Sequence, residues 1–401
     1  MTLKSPLRVV AVVLLLAVGL WFGGHPSWLP SPLRNVFVSQ TANQKLEDQV
    51  MSLLSKDYYK PVNVKSLENT ATNSGLEAAV QTLKDPYSHY YPPSLYKSFQ
   101  NEMTPQVVGI GVDVGSEPVA DGTQIEEVFQ GSPAAKAKLR SGDVITAVDG
   151  KSLAGLSVDA SGKLIRGNAG TKVKLTVLRD KRHFDVTITR ENVLVPVAAS
   201  ALLHYKGKKL GYLEFTQFAQ DSAAELRGQV RKMLADGAQG LILDLRDNPG
   251  GLVQQAIGVA SIFIKDGTIV TTRGRNQPTT VYMALGDAIA PKIPLTVLVD
   301  RGTASSAEIV TGALKDHHRA TVIGTHTYGK GVFQQIQPVN GGGALDITVG
   351  EYFTPNGQNL GAGGVKEGPG IKPNIYVYDN PQNPGKRAID VAEQTLAGEI
   401  K

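Results

Sequence analysis

Among its 401 residues the sequence has no cysteine. Disulfides, thiolate metal sites, iron–sulfur clusters and thiol nucleophiles are excluded together, so any nucleophile has to be an oxygen or an amine. Charge of one sign is also scarce: 41 Lys+Arg against 36 Asp+Glu leave a formal excess of +5, with no polybasic tract, too dilute to predict a nucleic-acid partner. No repeat of fixed period occurs, and no His/Asp/Glu cluster has metal-ligand spacing, so neither metal nor cofactor is expected. What remains, 41% apolar residues with 43 Gly and 22 Pro, is the balance of a folded globular chain of about two to three domains, not of disorder, collagen or coiled coil.

Long hydrophobic runs are rare, and the one exception opens the chain. Lys4 and Arg8 precede an apolar run from Val9 to Gly24, which as a helix would span roughly 24 Å. Positive charge before it and little after it predict that residues 1–24 are a signal or anchor whose amino terminus stays in the cytoplasm while the rest is exported. No clear small-residue cleavage site follows, and residues 25–39, with His25-Pro-Ser-Trp-Leu-Pro-Ser-Pro, read as a linker. An uncleaved membrane anchor is favoured over a cleaved signal.

Four segments follow. Over 40–105, Leu46, Val50, Leu53 and Leu54, then Leu76, Ala79, Val80 and Leu83, recur at helical spacing until Asp85-Pro86-Tyr87-Ser88 breaks the pattern. Over 106–190, short β-rich stretches alternate with turn residues, as in VVGIGVDV, DVITAVDG and KVKLTVLR. Over 191–380, apolar strands alternate with helical stretches, GLILDLRD, LTVLVD and ATVIGT among the strands, which predicts an α/β layer architecture. A short helix within 381–401 closes the chain. The expected class is thus α/β multidomain, with a β-rich domain inserted before the α/β core and a helical region at the front.

In the β domain, Gly109-Ile110-Gly111-Val112 places two glycines at a strand start, where successive backbone N–H groups can face a carboxylate. Gly131-Ser132-Pro133-Ala134-Ala135 then opens a short helix. Val112, Ile145 and Leu164 are candidate pocket residues, and equally candidates for plain core.

In the core, Ser305-Ser306-Ala307-Glu308 precedes an apolar-periodic helix and has the S-x-x-E pattern of a capping box. The serine also follows the buried strand LTVLVD and a small-residue turn, which exposes a hydroxyl where helix N–H groups favour developing negative charge. Of the seven histidines, His25, His89, His183, His204, His317, His318 and His326, only His326 is well placed along the chain to serve that serine as base. Four residues later stands Lys330, between glycines 329 and 331; a lysine packed against Ser305 would be an alternative base, since burial favours its neutral amine. Gly324 to Lys330 also fits the first seven positions of a phosphate-binding loop, but Gly331 replaces the Ser/Thr and a strand, not a helix, follows.

Taken together, TASSAEIVTGALKDHHRATVIGTHTYGKGVFQQ, LDLRDNPGG, DPYSHYYPPSLYKSFQ and a β domain that resembles a PDZ domain are similar to the carboxyl-terminal processing, or tail-specific, peptidases over about residues 40–380. The resemblance implies a serine endopeptidase in which Ser305 is the nucleophile, Lys330 the general base and Gln334 the group that orients the lysine. Where the family usually reads S-A-S-E, this chain reads Ser305-Ser306-Ala307-Glu308, so Ser306 is a rival, but only Ser305 keeps the family spacing to Asp316 and Lys330. Backbone amides of Ser306 and of Gly250 or Gly251 are the expected oxyanion donors. The PDZ-like domain implies strand-wise binding of a free carboxyl-terminal tail by Gly109, Ile110, Gly111 and Val112, with Arg166 coupling that binding to the catalytic centre. Protein or peptide substrates and, by family likeness, a homodimer are the partners implied.

Overall fold

The computed structural model describes residues 42–102, 106–115, 119–378 and 385–400. The expected signal or anchor and the linker lie outside the described residues, and no described helix is long and apolar enough to cross a membrane. The chain divides into two units, residues 1–95 with 334–348, and residues 96–333 with 349–401.

In the first unit, helices α1 (Ala42–Asp57), α2 (Val64–Ser74) and α3 (Leu76–Gln81) precede strand β1 (His89–Tyr91). The helical spacing read from the sequence is the buried face: Val50, Leu54, Leu76, Ala79 and Val80 are all enclosed. Asp85 ends the run, its Oδ1 accepting the Tyr87 amide at 2.9 Å and its Oδ2 the Ser88 hydroxyl at 2.7 Å, as an Asx turn does. Residues 344–346 belong here because they pair antiparallel with β1, His89 opposite Asp346.

Helix α4 (Pro93–Glu102) leads into the second unit. Its β-rich domain comprises β2 (Gln106–Gly109), β3 (Val112–Val114), β4 (Thr123–Val128), helix α5 (Pro133–Lys136), β5 (Val144–Val148), β6 (Lys151–Ser152), helix α6 (Val158–Ile165), β7 (Lys172–Arg179), β8 (Arg182–Thr189) and β9 (Glu191–Leu194). One sheet runs β3-β4-β5-β7-β8, and β2 pairs with β9 in a separate ribbon. Alternation along the strands sends Ile125, Ile145, Val173, Leu175 and Val177 into one core.

The α/β part follows: β10 (Ala198–Tyr205), β11 (Lys208–Phe215), α7 (Ser222–Ala235), β12 (Gly240–Asp244), α8 (Val253–Phe263), β13 (Thr268–Gly274), β14 (Thr280–Met283), β15 (Leu295–Val299), α9 (Ser306–Asp316), β16 (Thr321–Gly324), β17 (Val332–Pro338), β18 (Ala344–Phe353), β19 (Ile375–Tyr376) and α10 (Lys386–Glu399). Strands β17 and β18 have residues in both units. The main sheet has the order β10-β11-β12-β15-β16-β19, antiparallel only at β10. Its central strands are enclosed on both faces, which is why they read as unbroken apolar runs. Leu241, Leu243, Val297 and Val299 pack toward α7, α8 and α9, whereas Ile242, Leu298 and Ile323 meet Ala388, Ala392 and Leu396 of α10. Strand β13 leaves this layer and pairs instead with β14 and with residues 350–353 of β18.

The expected α/β class with an inserted β-rich domain is the architecture found. The parallel strands all point their carboxyl ends one way, and the loops there carry residues that the sequence put forward as site candidates: 248–251 after β12, 300–305 after β15 and 326–330 after β16. That end of an open α/β sheet is where ligands bind.

Candidate active site

Ser305 stands at the head of α9 with φ 54° and ψ −116°. A side chain in that region is strained, and such outliers persist only where the surroundings hold them. Here the preceding turn is pinned by Asp300, whose Oδ1 accepts the amides of Asp247 (3.0 Å), Gly302 (2.9 Å) and Thr303 (3.1 Å). The Ala304 amide donates to the Asn248 carbonyl at 2.9 Å. The same closeness sets two carboxylates side by side, so that Asp300 pushes the Asp247 carboxyl above its usual range. The sharp turn from strand to helix leaves Ser305 half-buried while Ser306, fully enclosed, donates its hydroxyl to the Gly251 carbonyl at 2.8 Å. Of the two rival serines, Ser306 thus has its hydroxyl engaged as a donor.

Glu308 does more than cap the helix. Its buried carboxylate accepts four donors: through Oε2 the amides of Ser305 (2.9 Å) and Lys330 (2.9 Å), and through Oε1 the Gly329 amide (2.7 Å) and the Thr327 hydroxyl (2.6 Å). One oxygen therefore holds the backbone nitrogens of Ser305 and Lys330 within twice 2.9 Å of each other. Burial raises the Glu308 pKa, and the four hydrogen bonds oppose that rise. The sequence pattern disclosed only the cap; the bonds to 327–330 come from a loop some twenty positions later and leave no local signal.

Gly250 has φ 95°, and a Cβ on it would lie 2.7 Å from the Ala304 carbonyl oxygen and 2.8 Å from the Ser306 nitrogen, so only glycine admits this approach. Its amide is not open to a ligand, since it donates to Asn248 Oδ1 at 2.9 Å. The Gly251 and Ser306 amides have no acceptor among the described residues. Of the expected oxyanion donors, then, Gly251 and Ser306 are unengaged and Gly250 serves as the spacer between them.

His326 makes no hydrogen bond to the serine. Its Nε2 is bonded to the Tyr376 hydroxyl and its Nδ1 is buried with no partner among the described residues. Asp316 accepts the Asn356 amide at 2.9 Å, a structural bond at the far end of α9. Gln334 belongs to the first unit, where its side-chain amide donates to Thr348 Oγ1 at 3.1 Å.

In the β-rich domain, a cavity of about 220 Å³ is lined by Gly109, Ile110, Gly111 and Val112 together with Phe129, Ile165 and Arg166. All five residues expected to bind a peptide line it. The Ile110 carbonyl accepts from Ala134 and the Gly111 carbonyl from Phe129, so both carbonyls are engaged, while the Ile110 and Gly111 amides find no acceptor among the described residues. Gly111 is required, because a Cβ there would come within 2.3 Å of the Ser132 Cβ. Arg166 turns back on its own helix, Nε donating to the Gly162 carbonyl at 3.2 Å. Ile145 is fully enclosed in the domain core, and Leu164 packs on that core without lining the cavity. Phe129 and Ile165 were missed as cavity residues; their apolar character at an element end does not separate a groove from a core.

Similarity to known proteins divides the chain along the same lines. Residues 209–377 match peptidase family S41 and residues 124–179 match the PDZ domain family. A Staphylococcus aureus protein named "Probable CtpA-like serine protease" is 36% identical over 344 residues, covering 85% of this chain and 66% of that protein, so this chain spans just under two thirds of the relative's length. Among solved structures, a photosystem II D1 C-terminal processing protease superposes with a TM-score of 0.56 at 25% identity, covering 89% of this chain and 98% of the other. The tricorn protease shares the fold, with a TM-score of 0.52 at 15% identity over 90% of this chain and 37% of its own. The two matched segments are the α/β part that presents the strained serine and the β-rich domain inserted ahead of it. Residues 209–377 thus carry the sequence of peptidase family S41, behind the PDZ domain matched at residues 124–179.

Proposed function

We propose that the protein is a serine endopeptidase that cleaves exported proteins after its PDZ domain has engaged their carboxyl-terminal tails. The observation that carries this reading is the shared Glu308 oxygen, which ties Ser305 and Lys330 to one point. In the proposed mechanism Ser305 Oγ attacks the peptide carbonyl carbon while the neutral Lys330 amine takes the hydroxyl proton. The oxyanion accepts from the Ser306 and Gly251 amides. The tetrahedral adduct collapses to the acyl-enzyme as the lysine passes its proton to the leaving amine, and water then releases the acid by the same steps. Gln334 is the proposed orienting group for Lys330.

Tail recognition is supported by the open Ile110 and Gly111 amides, which suit a terminal carboxylate, and by apolar walls that suit an apolar last side chain. Export and retention at the membrane by residues 1–24 rest on the sequence pattern, and assembly as a homodimer rests on family likeness.

The test is cleavage of an unfolded protein by wild type, Ser305→Ala, Lys330→Ala and His326→Ala, with and without an apolar-ended peptide. Loss in the first two variants and retention in the third is expected. Retention in Lys330→Ala with loss in His326→Ala would replace the lysine dyad by a histidine base, and inactivity of wild type under every condition would favour a silent tail-binding scaffold.

A further inference from the structure

The PDZ domain has a second face whose chemistry the peptide cavity does not use. Arg179 is paired: its Nε and Nη2 donate to the two oxygens of Asp143, each at 2.6 Å, and Nη2 also reaches the Lys138 carbonyl at 2.9 Å. Asp143 Oδ2 in turn accepts the Arg140 amide at 2.8 Å. Arg182 lies directly opposite Arg179 across the β7–β8 hairpin, whose tip is Asp180-Lys181. Around one neutralised ion pair are thus gathered four exposed cations, Lys138, Arg140, Lys181 and Arg182. None of the four makes a side-chain hydrogen bond or ion pair among the described residues. The exposed acid within this cluster is Asp180.

Lys136 pairs with Glu191 at 3.0 Å and Lys174 with Asp185 at 2.8 Å, whereas Lys151, Lys163 and Lys172, exposed elsewhere in the domain, make no ion pair among the described residues. What sets the four residues apart is that their charge is gathered at one place, where Arg179 bonds the Lys138 carbonyl and faces Arg182. It projects from two adjacent turns, the loop after α5 and the β7–β8 hairpin, which is the shape for meeting an extended anionic surface. None of the four residues lines the peptide cavity, so contact through this face leaves tail binding open.

We infer that this face docks the PDZ domain on an anionic lipid surface. The occupant follows from charge complementarity and from the apolar run Val9–Gly24, and in the latter respect the inference rests on the anchor reading above. One apolar segment with a basic patch is the usual pair of signals for a lasting membrane contact. Three cations in net excess at a negatively charged leaflet raise the docked fraction by roughly a hundredfold over a neutral surface, and salt screens the effect.

The absence of cysteine permits a clean test. The full chain carrying His183→Cys is labelled with a fluorescent donor, and energy transfer to a headgroup acceptor is measured in vesicles of phosphatidylcholine alone or mixed with phosphatidylglycerol. Transfer is expected to rise in the anionic vesicles, to fall at high salt, to vanish in K138E/R140E/K181E/R182E and in its glutamine counterpart, and to persist in K206E/K208E, which alters a different exposed basic hairpin. Unchanged affinity of the four-fold variants for an apolar-ended peptide verifies that their PDZ domain is folded. Equal transfer in both vesicle types, persistence in the four-fold variants, or binding of polyaspartate without any anionic-vesicle increment would each overturn the inference. Failure to associate with neutral vesicles counts against the anchor alone, and the anionic increment still decides the patch.

Discussion

Replacing Ser305 by glycine should destroy cleavage and strengthen the fold. At φ 54° and ψ −116° a residue with a Cβ stores about 1–3 kcal/mol of strain, which glycine releases. Glycine also leaves a freer unfolded chain, a loss of about 0.5–1 kcal/mol relative to alanine. Alanine keeps the Cβ and with it the strain, so the informative comparison is Ser305→Gly against Ser305→Ala, both lacking the hydroxyl. The net expectation is a glycine variant more stable by about 1 kcal/mol, equivalent to a gap of roughly 1–3 °C in midpoint for a chain of this size. Thermal unfolding of the two proteins side by side reads it. A glycine variant no more stable than the alanine variant would show that the serine turn is unstrained, and the argument that its surroundings enforce this backbone conformation would fail.

Glu308→Gln keeps the shape but offers one acceptor oxygen where two served four donors; stability should fall by roughly 2–5 kcal/mol and kcat by on the order of a hundredfold through misplacement of Ser305 and Lys330, with KM little changed in steady-state assays. Because burial raises the Glu308 pKa, the wild type holds an increment of stability below the ordinary carboxylate range and loses it as pH rises through the raised value; denaturation midpoints across that window should slope downward in wild type, less so in Glu308→Gln. Gly111→Ala drives a Cβ into Ser132 from a left-handed position and should weaken an apolar-ended peptide more than tenfold by calorimetry, a cost of at least about 1.4 kcal/mol. Arg190 is buried and donates to the carbonyls of Leu164, Ile165 and Lys172 and to Thr171 Oγ1; Arg190→Met should cost about 2–4 kcal/mol in unfolding, and an unchanged midpoint would refute that assignment.

The buried parallel strands were the most legible part of the sequence, because enclosure on both faces turns GLILD and LTVLV into uninterrupted apolar runs. The helix at Ser306 was legible through its capping pattern. Partnership was less so: TIVTTR reads as a strand, but nothing local says that it leaves the main sheet to pair with β18. Strand β10, with its mixed AASALLHY, had no clear period and was not singled out. At the site, the capping pattern after a buried strand brought out Ser305, and the flanking glycines brought out Lys330. The family resemblance implied their roles and led to the glycine pair, whereas the engagement of the Gly250 amide by Asn248 depends on a turn geometry that composition does not encode. His326 was suggested by its order along the chain, and it is the neighbouring strand, bringing Tyr376 beside it, that turns the ring to another use.

The last helix carries a consequence for timing. Until α10 is made, the main-sheet face bearing Leu210, Ile242, Leu298 and Ile323 has no cover from Ala388, Ala392 and Leu396. Synthesis runs from the amino terminus, so the strands holding the serine and lysine loops are complete long before the layer that buries their underside. A chain still being made thus lacks a finished core behind the loops that hold Ser305 and Lys330 until α10 has been made and has packed.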